Sequence, residues 1–223
     1  MARPRNQEAR RAHLLAAARR VIVAHGVSAV RVRDVADAAG MAPGSVTYYF
    51  RELDNLFQDV YAEAVHRFCA QRWEAVEAVT DPAERLLRTI GSGLPAGPDD
   101  ELCRLLYEFS PQALHHRVDA TLRATLYDSQ VALYRSILET GSMLGVFALS
   151  APAQDIAHNL VALEDAYGYH VIARTSVTRD RAEALIVSYA ELAVTARLRG
   201  HEEPARTIAD IRRPDRVGET ASD

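Results

Sequence analysis

The 223-residue chain is 48% apolar and 25% charged, a composition that excludes a wholly disordered protein and is typical of one or two globular domains. It contains no apolar run near the roughly 18 residues that a membrane-spanning helix needs, and no apolar stretch of signal-peptide type follows the N-terminus. We therefore expect a cytoplasmic protein with no membrane partner.

The net charge of −4 is distributed unevenly along the chain. Residues 1–50 carry eight arginines and three acidic residues, a net charge of +5, so residues 51–223 carry −9. This separation is expected when one small domain contacts a polyanion and the rest of the protein does not. It favours nucleic acid as the partner of the N-terminal segment.

Apolar residues recur with the helical period almost throughout, and no segment alternates in the way a β-strand does, so an all-α fold is predicted. Residues 8–25 form the first predicted helix, and residues 31–39 form a short second helix that ends at Gly40. Pro43 suits the first turn of a third helix, because it has no amide hydrogen to leave unpaired. The third helix is therefore predicted to run from Pro43 to about Phe50.

Two short helices joined by a glycine-containing turn and braced by a preceding helix form a helix-turn-helix, whose second helix lies in the DNA major groove. Val46 and Phe50 are expected to point inward. Hydroxyl groups are expected at or near the surface on Ser45, Thr47, Tyr48 and Tyr49. Such groups can bind phosphate oxygens or base edges. Because so short a helix cannot direct both tyrosines at DNA, one of them is expected to pack on the fourth helix.

The segment VRVRDVADAAGMAPGSVTYYF, residues 30–50, resembles the DNA-binding signature of TetR-type transcriptional regulators. The resemblance begins in the first predicted helix, includes the Leu56-Phe57 pair, and covers about the first 60 residues. It implies an all-helical homodimer with a three-helix DNA-binding domain and a divergent C-terminal ligand domain. It also implies that a small molecule releases the protein from its operator DNA.

Carried over by position, the resemblance implies that Arg33 and Ser45 reach bases or nearby phosphates. It implies that Pro43 and Thr47 lie in the groove, and that one of the two tyrosines contacts phosphate. The candidate DNA-binding residues are Arg31, Arg33, Pro43, Gly44, Ser45, Thr47, Tyr48, Tyr49 and Arg51.

The sequence departs from the family pattern at several positions near this helix. Ala42 stands where the family usually has a Ser cap, and a missing cap typically costs a helix about 1 kcal/mol. Leu53 stands where the family often has a phosphate-binding Lys, so Arg51 is the nearest substitute. Arg3 and Arg5 are candidates for a minor-groove arm. The alternative is a frayed terminus that makes only screened phosphate contacts.

The remainder of the chain is predicted to contain six helices. Their approximate ranges are 53–79, 82–92, 99–109, 117–141, 152–174 and 178–199. We expect a DNA-binding domain at 1–52, a ligand-binding and dimerisation domain at 53–199, and a flexible tail at 200–223. The tail is expected because that segment mixes both charges with few apolar residues.

The last two predicted helices are expected to form a dimer interface. Residues 182–194 are apolar on nearly every face, which indicates burial against both the protein's own core and a partner. Together with the alanine-containing helix at 156–173, they would form a four-helix interface in a two-fold homodimer. The interface would use the helices near 152–174 and 178–199. The alternative is a fully internal helix in a monomer.

A cavity for an unidentified small-molecule effector is predicted among the middle helices, where polar groups interrupt apolar stripes. The candidate ligand-binding residues are Trp73, Tyr107, Phe109, Tyr127, Gln130, Tyr134, His158 and Tyr167. For any one of them, core packing is the alternative explanation. Glu164 and Asp165 interrupt an apolar helix, and each is predicted to pair with an Arg across the dimer or to accept a hydrogen bond from the ligand.

The sequence contains no motif that indicates catalysis, and no metal site or cofactor is expected. We therefore predict a DNA-binding transcriptional regulator that acts as a repressor on operator DNA and responds to a small-molecule effector. Two alternatives stay open at this point. One is a DNA-binding regulator that answers to a protein partner instead of a metabolite, and the other is a helical enzyme that keeps a helix-turn-helix as a relic.

Overall fold

The computed structural model describes residues 3–198, which form nine α-helices and two short 3-10 turns and contain no β-strand. The N-terminal helices are α1 (Arg3–His25), α2 (Val32–Ala39) and α3 (Pro43–Tyr49). They are followed by α4 (Leu53–Glu77), α5 (Pro82–Gly93), α6 (Glu101–Phe109), α7 (Arg117–Met143), α8 (Ala153–Ile172) and α9 (Arg179–Val194). The predicted all-α fold is confirmed. Arg3 and Arg5, the predicted arm, belong to the first turns of α1, but their side chains are outside the described part of the structure. The predicted tail at 200–223 lies outside the described residues altogether.

Glycine, proline and aspartate residues mark three of the helix ends in the way that their backbone and side-chain chemistry favours. Gly40 ends α2 in the left-handed conformation, with φ 63° and ψ 33°, which a glycine adopts without steric cost. Ala42 precedes α3 without a side-chain cap, and Pro43 is the first helical residue. Asp81 caps α5 by accepting hydrogen bonds from the backbone amides of two first-turn residues.

Helix α9 is shorter than predicted. It ends at Val194 instead of continuing to about residue 199, because Thr195 adopts a left-handed conformation with φ 50°. The Glu191 side chain then accepts a hydrogen bond of 3.0 Å from the backbone amide of Leu198. A side chain of the last turn thus satisfies an amide beyond the helix end, and hydrophobic periodicity alone carries no signal for such a contact.

Two hydrophobic clusters form the core. The first joins α1, α2 and α3 to the N-terminal half of α4 and to α6, and it includes Tyr61 and Phe109, whose rings stack at 4.7 Å. The second lies among the end of α4, α5, α7, α8 and α9. Every helix within residues 3–198 is too short or too polar to cross a bilayer.

Helix α6 is bonded to the N-terminal helices as well as to the C-terminal bundle. The carboxylate of Glu108 lies 3.4 Å from the backbone amide of Val27, which donates to it. The guanidinium of Arg104 lies 3.5 Å from the carbonyl oxygen of Val23. Two long hydrogen bonds therefore join α6 to the N-terminal unit.

Candidate DNA-binding surface and effector cavity

The turn between α2 and α3 holds α3 against the first core. Val46 is 1% exposed and Phe50 is 3% exposed, so both side chains anchor α3 as predicted. The opposite side of α3 is therefore directed to solvent. This is the arrangement in which a helix-turn-helix presents its second helix to a DNA groove.

Most of the nine candidate DNA-binding residues lie at the surface of the N-terminal unit. Seven are exposed: Arg31, Arg33, Pro43, Gly44, Thr47, Tyr48 and Arg51. Ser45 and Tyr49 are half-buried. Tyr48 is 72% exposed, whereas Tyr49 packs against the first core, and the two rings meet edge to face at 5.1 Å. The two tyrosines thus divide as the sequence indicates, with Tyr48 directed to solvent.

Local hydrogen bonds prepare two parts of this surface. The Thr47 hydroxyl donates to the carbonyl oxygen of Gly44 at 3.2 Å, so its lone pairs and its methyl group are what it presents outward. A side chain at position 44 would meet no atom within 4 Å, so the space beside Gly44 is open to an approaching backbone. The Asp34 carboxylate accepts the Arg31 amide at 2.8 Å, and α2 thereby keeps an acidic group at its N-terminus, where it is favourable.

Sequence reasoning missed the contribution of Arg11 to this surface. The Arg11 guanidinium lies 4.4 Å from the centre of the Phe50 ring and forms an ion pair with Asp59. It therefore ties α1 to the end of α3 and to α4. Both contacts join residues that are distant in sequence, and no local motif indicates them.

A fully buried network of charged and polar groups crosses the C-terminal bundle. The Arg72 guanidinium donates to both oxygens of Glu164, at 2.7 and 2.8 Å. It also donates to the side-chain oxygen of Gln130 at 2.6 Å and to the carbonyl oxygen of Thr89 at 3.0 Å. The Tyr134 hydroxyl donates to Glu164. Burial is the largest influence and disfavours the charge on Arg72, but Glu164 and Tyr134 together, by attraction and hydrogen bonding, outweigh it and raise the pKa of Arg72 above its usual value.

Glu164 and Asp165, the adjacent acidic residues of α8, both pair inside the chain. Glu164 binds Arg72, and Asp165 lies 2.5 Å from the Arg123 guanidinium. The expectation that these groups pair with an Arg across a dimer is therefore wrong for the described chain. An intrachain partner on α4 or α7 satisfies each carboxylate.

A cavity lies beside this network, with about 340 Å³ of empty space that is partly open to solvent. Its lining comes from five helices, α4 to α8. The lining residues are Phe68, Gly93, Cys103, Leu106, Tyr107, Ser110, Arg123, Leu126, Gln130 and Asp165. The Tyr107 hydroxyl donates to the carbonyl oxygen of Asp165 at 3.2 Å. Burial raises the pKa of Tyr107 well above its ordinary value, so this phenol keeps its proton and remains a donor.

Of the eight predicted ligand-binding residues, Tyr107 and Gln130 line this cavity. Trp73 is 43% exposed, and Phe109 stacks on Tyr61 in the first core. Tyr134 belongs to the buried network, and Tyr167 packs against the second core.

Tyr127 and His158, the other two predicted ligand-binding residues, bond to each other away from the cavity lining. The Tyr127 hydroxyl lies 2.7 Å from Nδ1 of His158, and Nε2 of His158 lies 2.8 Å from the side-chain nitrogen of Gln154. Each polar end of this pair therefore has a partner within α7 or α8. The prediction missed several cavity residues, among them Arg123. Its position seven residues before Gln130 places both on one face of a helix, and this spacing could have indicated it.

A second, smaller cavity lies where α4 and α7 approach the N-terminal unit, and Asp119 lines it. Asp119 is 6% exposed, and its Oδ1 has no hydrogen-bond partner among residues 3–198. Burial raises the pKa of Asp119 above its ordinary value of 3.8; His116 opposes the shift, and Asp54 adds to it. A raised pKa means that the folded state binds this proton more tightly than the unfolded state does.

The stabilisation that this proton provides is therefore present below about pH 4 and is lost as pH rises through the folded-state pKa. We expect Asp119→Asn to gain stability relative to the parent protein as pH rises from about 4 to 7. Urea unfolding across that range measures the difference. Asp128→Asn, at an exposed position of the same helix, is the control. A difference that stays constant with pH contradicts the expectation.

Comparison with known proteins agrees with this architecture. The family model for bacterial regulatory proteins of the tetR family matches residues 14–60. The HTH-type transcriptional repressor KstR2 of Mycolicibacterium smegmatis is 23% identical over 144 residues, which are 65% of this chain and 70% of that protein.

Two solved structures share the fold over most of their length. A protein of Saccharomonospora viridis, described as a transcriptional regulator and solved in complex with choline, superposes with a TM-score of 0.76 at 23% identity, covering 82% of this chain and 96% of that one. A TetR transcription regulator from Haloarcula marismortui superposes with a TM-score of 0.76 at 19% identity, covering 84% of this chain and 99% of that one. The match of residues 14–60 makes the N-terminal unit similar to that of bacterial regulatory proteins of the tetR family, and the solved structures show that the same fold extends over most of the chain.

Proposed function

We propose that the protein is a repressor that leaves its operator when a small molecule binds among α4 to α8. The observation that carries the proposal is the position of α6, which lines the cavity and is also bonded to the N-terminal unit. In this proposal residues 1–52 bind DNA, and residues 53–199 bind the effector and form the dimer. The M. smegmatis relative is named a repressor, which supports repression, as opposed to activation, by this protein.

The two faces of α6 suggest how the signal passes. Tyr107 and Leu106 line the cavity, whereas Glu108 and Phe109 contact the N-terminal unit and the N-terminal half of α4. A ligand that enlarges the cavity would displace α6 and tilt α4. The two recognition helices of a dimer would then lose the spacing that adjacent major grooves require. The ligand need only bind the DNA-free arrangement more tightly than the DNA-bound one.

The cavity supports a small-molecule effector over a protein partner. The room inside it is about 20 Å³, enough for about one water molecule, so an effector would have to open the cavity further. It combines apolar walls with a few polar groups that can orient a ligand. The S. viridis protein was solved in complex with choline, which supports a small-molecule effector for a protein of this fold.

Operator fragments selected from the native genome provide the test. Fluorescence anisotropy should show tight binding of such a fragment and its release by a small-molecule extract of the native cells. Ser110→Phe would fill part of the cavity, because Ser110 lies in its lining. This variant should keep DNA binding and lose the response to the extract. An operator affinity that no extract fraction changes would contradict the proposed mechanism.

The outer faces of α8 and α9 are proposed to form the homodimer interface. Ala162 and Ala166 on α8 are exposed, as are Ala184 and Ser188 on α9, and small residues allow helices of two subunits to approach closely. Leu192 is 75% exposed on α9. An exposed leucine beside small residues on the last helix favours burial against a second copy in a four-helix arrangement.

Leu192→Arg is expected to shift the protein from dimer to monomer, because it would bury an unpaired charge in the proposed interface. Light scattering coupled to gel filtration measures the mass, and operator affinity should fall at the same time. Leu114→Arg is the matched control, since Leu114 is 81% exposed and lies in the turn before α7. A Leu192→Arg variant that remains dimeric argues against this interface.

A further inference from the structure

The cavity presents three residues of one face of α7. Arg123, Leu126 and Gln130 follow one another at spacings of three and four, and all three line the cavity. Such spacings place side chains on the same side of a helix. Arg123 and Gln130 are two turns apart, about 10 Å along the axis, with Leu126 between them.

The group that Gln130 can offer to a ligand is a donor. Gln130 is 4% exposed, and its side-chain oxygen already accepts from Arg72 at 2.6 Å. Its amide Nε2 donates to no protein atom within residues 3–198. A ligand that brings an acceptor to this end of the cavity gives this amide a partner.

The group at the other end is a guanidinium that is held by a single carboxylate. Arg123 binds Asp165 through Nη2, and both side chains are about 30% exposed at the edge of the cavity. A guanidinium has five N–H donors arranged to match a carboxylate. The one bond to Asp165 therefore leaves donors for a second anion. Glu164, the other acidic group nearby, is fully engaged by Arg72 and Tyr134.

The walls between these two ends are apolar. Phe68, Leu106 and Leu126 lie along the cavity, on α4, α6 and α7. Apolar walls between a guanidinium and an amide donor fit a molecule with an apolar body, an anionic group at one end and a neutral acceptor near the other.

We propose that the effector is an apolar carboxylate, whose anion binds Arg123 and whose body lies along Leu126 towards Gln130. This inference rests on the proposed effector-controlled release. The carboxylate competes with Asp165 for Arg123 and loosens the tie between α7 and α8. Asp165 belongs to the same helix as Glu164, and its carbonyl oxygen accepts from Tyr107 of α6. The competition therefore reaches the helix that is bonded to the N-terminal unit.

Three probes with one alkyl chain and different headgroups test the charge: octanoate, octanol and octylammonium. Isothermal titration of the full chain should show octanoate binding most tightly. Arg123→Gln should weaken octanoate binding by about 10- to 100-fold, the loss expected for a charge-assisted hydrogen bond, and should leave octanol binding unchanged. Arg135→Gln, at an exposed position of the same helix, should bind octanoate as the parent protein does.

A second comparison tests the acceptor end. Octanoate with a terminal hydroxyl group should bind more tightly than octanoate, and Gln130→Leu should abolish that gain while keeping the preference for the anion. Arg72 retains both bonds to Glu164 in this variant, so the bundle is expected to fold.

Several outcomes overturn the inference. One is a preference for octylammonium, which would assign the site to Asp165 instead of Arg123. The others are equal binding of all three probes, no binding of octanoate, and octanoate binding that survives Arg123→Gln. If a cell extract still releases the operator in any of these cases, the proposed function stands and only the ligand class fails. If octanoate binds as expected but neither it nor any extract changes operator affinity, the proposed function fails and the site assignment stands.

Discussion

Arg72→Met is expected to destabilise the protein by about 3–5 kcal/mol, the cost of removing one partner from a buried ion pair. Arg72 and Glu164 are each about 1% exposed at the side chain, so water cannot replace the lost partner. The Glu164 carboxylate would keep the Tyr134 hydroxyl as a donor but would lose both guanidinium bonds. Gln130 and the carbonyl group of Thr89 would each lose a donor as well.

Urea unfolding of three variants tests this expectation. The double variant Arg72→Met with Glu164→Leu should recover much of the loss, because two apolar side chains leave no uncompensated charge. Arg88→Met removes an ion pair with Glu84 that is about half exposed and should cost less than about 1 kcal/mol. If Arg72→Met is no more costly than Arg88→Met, the network contributes little to stability.

The chain makes room for this network at Gly93. A Cβ added at Gly93 would overlap the Glu164 carboxylate, which Arg72 and Tyr134 hold in place. The sequence marked Glu164 as unusual in an apolar helix, but its partner lies 92 residues away along the chain. A single sequence carries no pairing information over such a separation.

The N-terminal unit was predictable because its determinants are local. Pro43 starts α3, Gly40 ends α2, and Val46 and Phe50 are buried with the spacing of one helical face. Each of these features depends on residues a few positions apart. The same local signals predicted that Tyr48 and Tyr49 would divide between solvent and core.

The cavity was predictable only in outline, because its lining depends on how each long helix is rotated in the bundle. Trp73 was expected to point inward on the basis of its hydrophobicity, yet it is 43% exposed, and the adjacent Arg72 is 1% exposed. One residue along a helix is a rotation of about 100°, which separates these two environments. Hydrophobicity alone predicts a buried Trp73 and an exposed Arg72, the opposite of what is observed. Arg72 can be buried because acceptors on three other helices bind its guanidinium.

Combined Arg33→Ala and Thr47→Ala substitution is expected to weaken operator binding by about 100-fold or more, since each good side-chain contact to a base contributes about 1–3 kcal/mol. Both residues are exposed, so the fold should be unaffected. Arg88→Ala, in the C-terminal domain and half exposed, is the control and should leave affinity unchanged.

The salt dependence of the single variants distinguishes the roles of Arg33 and Thr47. If Arg33 contacts phosphate, Arg33→Ala should weaken binding to every DNA sequence and reduce the slope of log affinity against log salt by about 1. If it contacts a base, the loss should fall on one operator position. Thr47 carries no charge, so Thr47→Ala should change sequence preference without changing the slope. Unaltered binding by the double variant would remove α3 and the start of α2 from the DNA interface, because these two residues are the exposed polar groups assigned to bases and groove.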